Sequence, residues 1–371
     1  MNDANLLIFL AVLLPLFASV MFIPYWTRRT ESFGVSIPED VYRREDLRMM
    51  RKNYLLITGV LALLTLLVLW ISFSHFSGNE TAIGIVFGCL IAAYMVITFF
   101  VYLHFHQRMK KIKANEPEWS KKAQLISIST TFHVEKRVYS HLWFAIGFII
   151  AIAMVILSLV KYEQIPDKFP IHYNLRGEPD GWSDKSLRSV LSMPIMQVYL
   201  SALFLFINVI ISKSKQQISA ADSEQSLRQN IIFRRRWSLF TIIMGNGLVA
   251  SMSLVQLSML YNMSAKLPGI VITGFAIASV LGAIVLSITT GQGGSRVTVK
   301  SAKSGDPQKI DRDDDRYWKL GMFYFNRNDP AIFLEKRFGV GWTNNWAHPL
   351  SWIFIIVIIG LAFLLPSLLS N

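Results

Sequence analysis

His172 is the residue of this 371-residue chain with the most chemistry gathered around it. Asp167, Glu178, Asp180 and Asp184 lie on either side of it and could join its nitrogen as oxygen ligands to a divalent ion. No spacing fixes them on one helical face. Asn174, Asp180 and His172 could instead hydrogen-bond the turns that hold a loop together. A second collection comprises His104, His106, His133, Glu135 and His141. His133-Val-Glu135 lacks the His-Glu-x-x-His spacing that sets two zinc ligands on one face. His104 and His106, two residues apart, splay apart on a helix. They read as solvated histidines near a membrane surface. The single cysteine, Cys89, can form neither an internal disulfide nor a Cys-rich metal site. No nucleophile–base pair is evident, so the chain is expected to be non-enzymatic, with no metal and no cofactor.

The elements that position these residues are apolar. The chain is 53% hydrophobic and 16% charged, with mean hydropathy +0.41, against about 25% charge in soluble domains. Eight stretches are apolar on all sides and about long enough to cross a hydrocarbon core. They are residues 6–26, 54–74, 82–103, 142–160, 190–211, 238–261, 269–289 and 350–369, and none contains an internal Lys, Arg, Asp or Glu. The expected fold is an all-α polytopic membrane protein. Within the spans only Gln197, Asn208, Asn246 and Gln256 are strongly polar, whereas ion-coupled transporters keep ionisable groups near the midplane. Gly245, Gly247, Ala250 and Ser251 suggest close helix packing.

Charge in the loops sets the orientation. Loops 27–53, 104–141, 212–237 and 290–349 hold 7, 8, 6 and 10 Lys+Arg, and loops 75–81, 161–189 and 262–268 hold 0, 5 and 1. Basic residues are retained on the cytoplasmic side, so both termini are expected outside the cell membrane. Asp3 precedes the first span and Arg28-Arg29 follow it, the reverse of a cleavable signal peptide. The chain divides into a three-helix region 1–141, a four-helix region 142–289 carrying an outer cap at 161–189, an inner segment 290–349, and a last span 350–371. The inner segment opens with Gly291-Gln-Gly-Gly-Ser295, read as a flexible linker that continues to Asp315. Ser32-Phe-Gly-Val35 and Arg337-Phe-Gly-Val340 share three residues, too short a match to mark a repeat.

The outer cap carries the most specific pattern. Pro166 and Pro170 end the preceding helix. Residues 171–173 can extend, and Asn174 to Gly177 and Glu178 to Gly181 read as turns. Trp182 is the expected apolar anchor over both, and Ser183 or Asp184 the expected cap of the next helix. The residues Pro166, Asp167, Pro170, His172, Asn174, Gly177, Pro179, Asp180, Trp182 and Lys185 together form a pattern that resembles the bacterial membrane family defined by domain of unknown function 1648. The resemblance is close over about twenty residues and weaker over residues 140–290. It implies a relationship to immunity proteins that protect a bacterium from its own secreted killing peptide. Some members also relay that peptide's presence by holding a transcriptional repressor at the membrane. The implied role for the cap motif is ligand or peptide recognition. The stretches from Arg316 to Pro330 and from Lys336 to Trp342 resemble a further uncharacterised segment of longer relatives.

That last region interleaves rings and bases. Arg316, Trp318, Lys319, Arg327, Lys336, Arg337 and Trp342 are expected to lie in the membrane interface, bases toward anionic lipid. A nucleic-acid role, which such interleaving suggests in soluble proteins, is not expected here. Asp329 and Pro330 predict a short helix over 330–338 after an extended 322–325. The expected partners are the bilayer, a secreted peptide outside and a cytoplasmic regulator inside. The expected function is sensing of, or immunity to, an antimicrobial peptide or envelope stress. The alternative is a transporter or exporter of a small amphiphile.

Overall fold

A computed structural model of the chain describes residues 3–76, 79–121, 136–173, 179–217, 223–261, 263, 266–299 and 315–369. Its helices are α1 (Asp3–Trp26), α2 (Glu45–His75), α3 (Glu80–Ala114), the single turn α4 (Pro117–Lys121), α5 (Ala145–Val160), α6 (Leu187–Lys213), α7 (Ser223–Leu260), α8 (Lys266–Thr290) and α9 (Pro349–Leu369). Among the described residues, six helices are long and apolar enough to cross a membrane: α2, α3, α5 with its 3₁₀ start His141–Phe144, α6, α7 and α8. Two further apolar stretches, Leu13–Trp26 in α1 and Pro349–Leu365 in α9, are shorter. Large apolar side chains such as Leu63, Ile270 and Phe363 stand 67%, 71% and 75% exposed. Such surfaces are stable in lipid and not in water. The chain is an all-α polytopic membrane protein.

Among the described residues, four two-stranded antiparallel hairpins punctuate the helices. They pair β1 (Glu31–Ser32) with β2 (Val35–Ser36), β3 (Lys168–Tyr173) with β4 (Pro179–Asp184), β5 (Trp318–Lys319) with β6 (Phe323–Tyr324), and β7 (Phe333–Glu335) with β8 (Trp342–Asn344). The extended stretch expected at 322–325 is β6. The helix expected over 330–338 is not there: β7 occupies its centre. Asp329 does accept from the Ala331 N–H at 3.0 Å, but the bond closes a turn rather than starting a helix. Gly339 and Gly341, at φ +91° and +115°, then bring the chain back as β8, a conformation that glycine adopts freely.

Contacts divide the chain into two compact units: residues 1–133, 215–233 and 284–347, and residues 134–214, 234–283 and 348–371. Base-rich stretches that are far apart in sequence thus share the first unit. There α1, α2 and α3 pack around Leu13, Phe17, Ala62, Leu69 and Tyr94. Nearer the start of α2, Phe33, Tyr54, Tyr102, Phe105 and Phe338 form a second core. The two Phe-Gly-Val phrases therefore meet: Phe33 stacks on Phe338 with ring centroids 5.9 Å apart.

In the second unit, α6 begins with a capping box. The Ser189 N–H donates to Ser186 Oγ and the Ser186 N–H to Ser189 Oγ. Ser186 is thus the cap, rather than Ser183 or Asp184. Gly245 and Gly247 leave room for the rings of Phe204 and Phe275, the close packing expected of them. The four span amides are hydrogen-bonded between helices. Gln197 donates to Ser253, Asn208 is paired with His141, Asn246 donates to the Trp143 carbonyl, and Gln256 donates to Ser158 and the Val190 carbonyl.

Candidate functional site

Two constructions could carry function, one in each unit. The first is the β3–β4 hairpin between α5 and α6. Its foot is apolar: Ile165 and Phe169 are buried with Val190 and Leu260. The Lys185 N–H donates to the Asp167 carbonyl at 2.8 Å and closes the hairpin. Lys185 Nζ sits 4.8 Å from the ring centre of Tyr162. Trp182, opposite Pro170 in the ladder, is 54% exposed. It is not the anchor that the sequence suggested. Phe169 is, because strand alternation turns Phe169 toward the helices and its neighbour Pro170, with Trp182 opposite, to the other face. Ile171 is 49% exposed as well, so the hairpin presents apolar surface to its surroundings.

Pro166 and Asp167 lie exposed at the hairpin's start. The backbone of His172 pairs with Gly181, and Pro179 pairs with Tyr173, so residues 179–181 are strand and not the turn expected over Glu178 to Gly181. Asn174 and Gly177, and the side chains of His172, Pro179 and Asp180, lie outside the described residues. No cluster of three His, Cys, Asp or Glu side chains with metal-binding geometry occurs among the described residues. His133 and Glu135 also fall outside them. His104 is exposed, whereas His106 is 6% exposed and not the solvated histidine expected. Its Nδ1 donates to the carbonyl of Phe33 at 2.8 Å, which fixes the proton on that nitrogen.

The second construction is a polar platform built on α3. Asp315 accepts from Lys113 Nζ at 2.7 Å, from the Ser36 N–H at 3.2 Å, and from Arg337 in a close ion pair. Burial alone would raise the Asp315 carboxyl. Arg337 and Lys113 outweigh it and hold the group below the usual carboxylate range. Arg337 lies 5.0 Å from the ring centre of Trp318. Glu335, fully buried, pairs with Arg28 and accepts from Asn230 Nδ2 at 2.8 Å. Arg28 also donates to Gln217 Oε1 at 2.7 Å. Asp329 takes Lys215 Nζ at 2.6 Å and the Tyr324 hydroxyl at 2.8 Å. It too is held low, burial being outweighed by those donors and the Ala331 N–H.

Seven residues here were expected to face lipid. Trp318 and Arg337 do not, being 4% and 2% exposed inside the unit. Asp315 and the Trp318 ring satisfy the Arg337 charge in the interior, so it needs no headgroup. Arg316, Lys319, Arg327 and Lys336 are exposed and Trp342 is half-buried. Gly291-Gln-Gly-Gly-Ser295 is not a flexible linker either. Gln292 is fully buried and holds Lys336 and Gly341 through three hydrogen bonds. Gly293 sits at φ +62° against the Arg28 guanidinium, where a Cβ would lie 2.3 Å from Nη2.

Two tight turns complete the platform. Phe33-Gly34 and Leu320-Gly321 both adopt positive φ, at +47°, +76°, +53° and +70°. A Cβ on Gly34 would lie 2.5 Å from the Gly321 carbonyl oxygen, so the turns touch backbone to backbone. Tyr102 and His106, one helical turn apart on α3, hold them together. Tyr102 donates to Leu320 O, and His106 donates to Phe33 O. Sequence reasoning missed Arg28, Lys113, Asp315 and Glu335 as a set. The Phe-Gly and Leu-Gly dipeptides were readable turn signals, but nothing local identified their partners.

Comparison with known proteins places two segments. Residues 149–198 match the model of a domain of unknown function, DUF1648, and residues 327–352 match a family of unknown function, DUF5808. The first match spans the end of α5, the hairpin and the start of α6; the second spans β7, β8 and the start of α9. The chain thus carries a DUF1648 segment with an additional C-terminal one, as the sequence motif suggested. No curated protein and no solved structure matches it significantly.

Proposed function

We propose that this chain is a non-enzymatic cell-membrane protein that senses, or gives immunity to, a secreted amphiphilic peptide. The observation that carries the reading is the β3–β4 hairpin. Phe169 and Ile165 clamp its foot, and Ile171 and Trp182 stay exposed. A buried foot with exposed apolar side chains along the strands suits an amphiphilic ligand, since aromatic anchors dominate such contacts. The alternation of base-rich and base-poor loops supports a hairpin outside the cell and a platform inside. The platform is then the surface available to a cytoplasmic regulator, and its exposed bases Arg316, Lys319, Arg327 and Lys336 lie within reach of anionic lipid. The transporter reading finds less support, because the span amides are engaged in helix–helix hydrogen bonds. Deletion and overexpression strains challenged with a panel of secreted antimicrobial peptides test the proposal. Survival should fall on deletion and rise on overexpression for at least one peptide. Unchanged survival in both strains rejects it.

A further inference from the structure

Arg51, in the second turn of α2, is a buried cation with a donor to spare. Its residue surface is 4% exposed, and its Nη2 donates to the Tyr42 carbonyl at 2.8 Å. The guanidinium stacks 4.0 Å from the ring centre of Tyr42, while Nη1 is buried with no hydrogen-bond partner among the described residues. The acids near it are engaged elsewhere. Asp46 and Glu116 both bond Arg44, Glu39 lies 3.9 Å from Arg29, and Glu45 lies 3.7 Å from Arg48. No ion pair reaches Arg51 among the described residues.

Arg51 lines a cleft of about 700 Å³, with Arg43, Arg48, Lys52, Tyr25 and Tyr42 around it. Four bases thus face one acid, Glu45, in a space the size of a small-molecule site. Tyr25 is fixed by Arg296, which donates to its carbonyl at 2.7 Å. Guanidinium groups bind phosphate oxygens through paired hydrogen bonds, and tyrosine hydroxyls can add another. The apolar run of α2 begins just beyond Lys52, so the cleft stands where a basic pocket meets headgroups.

We propose that this cleft binds a phosphate ester group, supplied by a phospholipid headgroup or by a soluble phosphate monoester. Arg51 forms its fixed wall, and Arg43, Arg48 and Lys52 form its adjustable rim. The proposal is independent of the hairpin and of the peptide reading.

The test uses the full-length protein, because truncating at α2 would remove the core that holds Arg51. Arg48→Gln with Lys52→Gln removes two exposed rim bases and should leave folding intact. Lys110→Gln with Lys111→Gln, two exposed bases on α3, serves as the charge-matched control. In the lipid arm, each protein is reconstituted in nanodiscs of mixed phosphatidylcholine and phosphatidylglycerol, and bound lipid is measured by native mass spectrometry. In the soluble arm, glycerol phosphate is titrated in neutral detergent and thermal stability is followed. Binding should weaken by about fivefold per base in the rim variant and by much less in the control. Selective loss of phosphatidylglycerol identifies the lipid as source. Selective loss of the glycerol phosphate response identifies the soluble ester. Equal losses in rim variant and control, or no response to either probe in the wild type, overturn the site.

Discussion

The hydroxyl of Tyr102 on α3 donates to the carbonyl of Leu320 at 2.8 Å, across 218 positions of sequence. One bond of this kind contributes only about 1 kcal/mol net. Its placement matters more: it fixes the Leu320-Gly321 turn against the Phe33-Gly34 turn. Gly34→Ala should therefore destabilise far more than Tyr102→Phe, because a Cβ there strikes the Gly321 backbone. Melting temperature in detergent checks the order. A Gly34→Ala protein as stable as wild type would show that the turns do not touch.

The buried and exposed ion pairs of the first unit should differ in worth. Glu335→Gln removes the charge from a fully buried pair with Arg28 and should cost about 3–5 kcal/mol. Arg228→Gln breaks a pair with Glu224 in which the arginine side chain is 53% exposed, and should cost under about 1 kcal/mol. Chemical denaturation of both variants beside wild type measures the difference. Equal effects would contradict the burial of Glu335.

Asp315 predicts acid sensitivity with a definite sign. Its folded carboxyl is held low by Arg337 and Lys113, against burial. Its stabilisation is thus fully present above an unfolded value of about 3.9 and lost as pH falls through the folded value. At pH 6, Asp315→Asn should melt below wild type, and the gap should narrow below about pH 4. A gap that stays constant over that range would mean the carboxylate is not the source.

At the hairpin, stability and function should separate. Phe169 is 2% exposed in the foot, so Phe169→Ala should cost about 3–5 kcal/mol. Trp182→Ala, at an exposed site, should change melting by little. If Trp182→Ala unfolds the protein as readily as Phe169→Ala does, the aromatic ring at 182 is the anchor after all.

The spans and the hairpin motif were legible in the sequence because each depends on local pattern. An apolar run such as 54–74 needs no partner to be recognised, and the proline and glycine spacing around His172 is itself the signal. The platform was not legible. Asp315 takes its ligands from Lys113 and Arg337, and Glu335 from Arg28 and Asn230. Nothing local marks a charge that will be buried by a partner brought to it only by the fold. The interior position of Arg337 was not legible either, because Asp315 and the Trp318 ring meet it only through tertiary packing. Composition predicts the average environment of a side chain, whereas tertiary pairing decides the actual one.

The orientation proposed from loop charge is open to direct labelling. With Cys89 replaced by serine, Ser183→Cys on the hairpin should react with an impermeant maleimide in intact cells. Asn328→Cys, exposed on the platform, should react only after lysis. The reverse pattern would invert the proposed sides of both constructions.

The claim that the exposed apolar side chains of the hairpin receive a secreted peptide is tested most directly by survival at matched protein abundance. A deletion strain is complemented with wild type or with Ile171→Ala/Trp182→Ala, and exposed to the peptide against which deletion lowers survival. The account predicts that wild type restores survival and the double variant does not, although both accumulate in the membrane equally. Full protection by the double variant at equal abundance would contradict it.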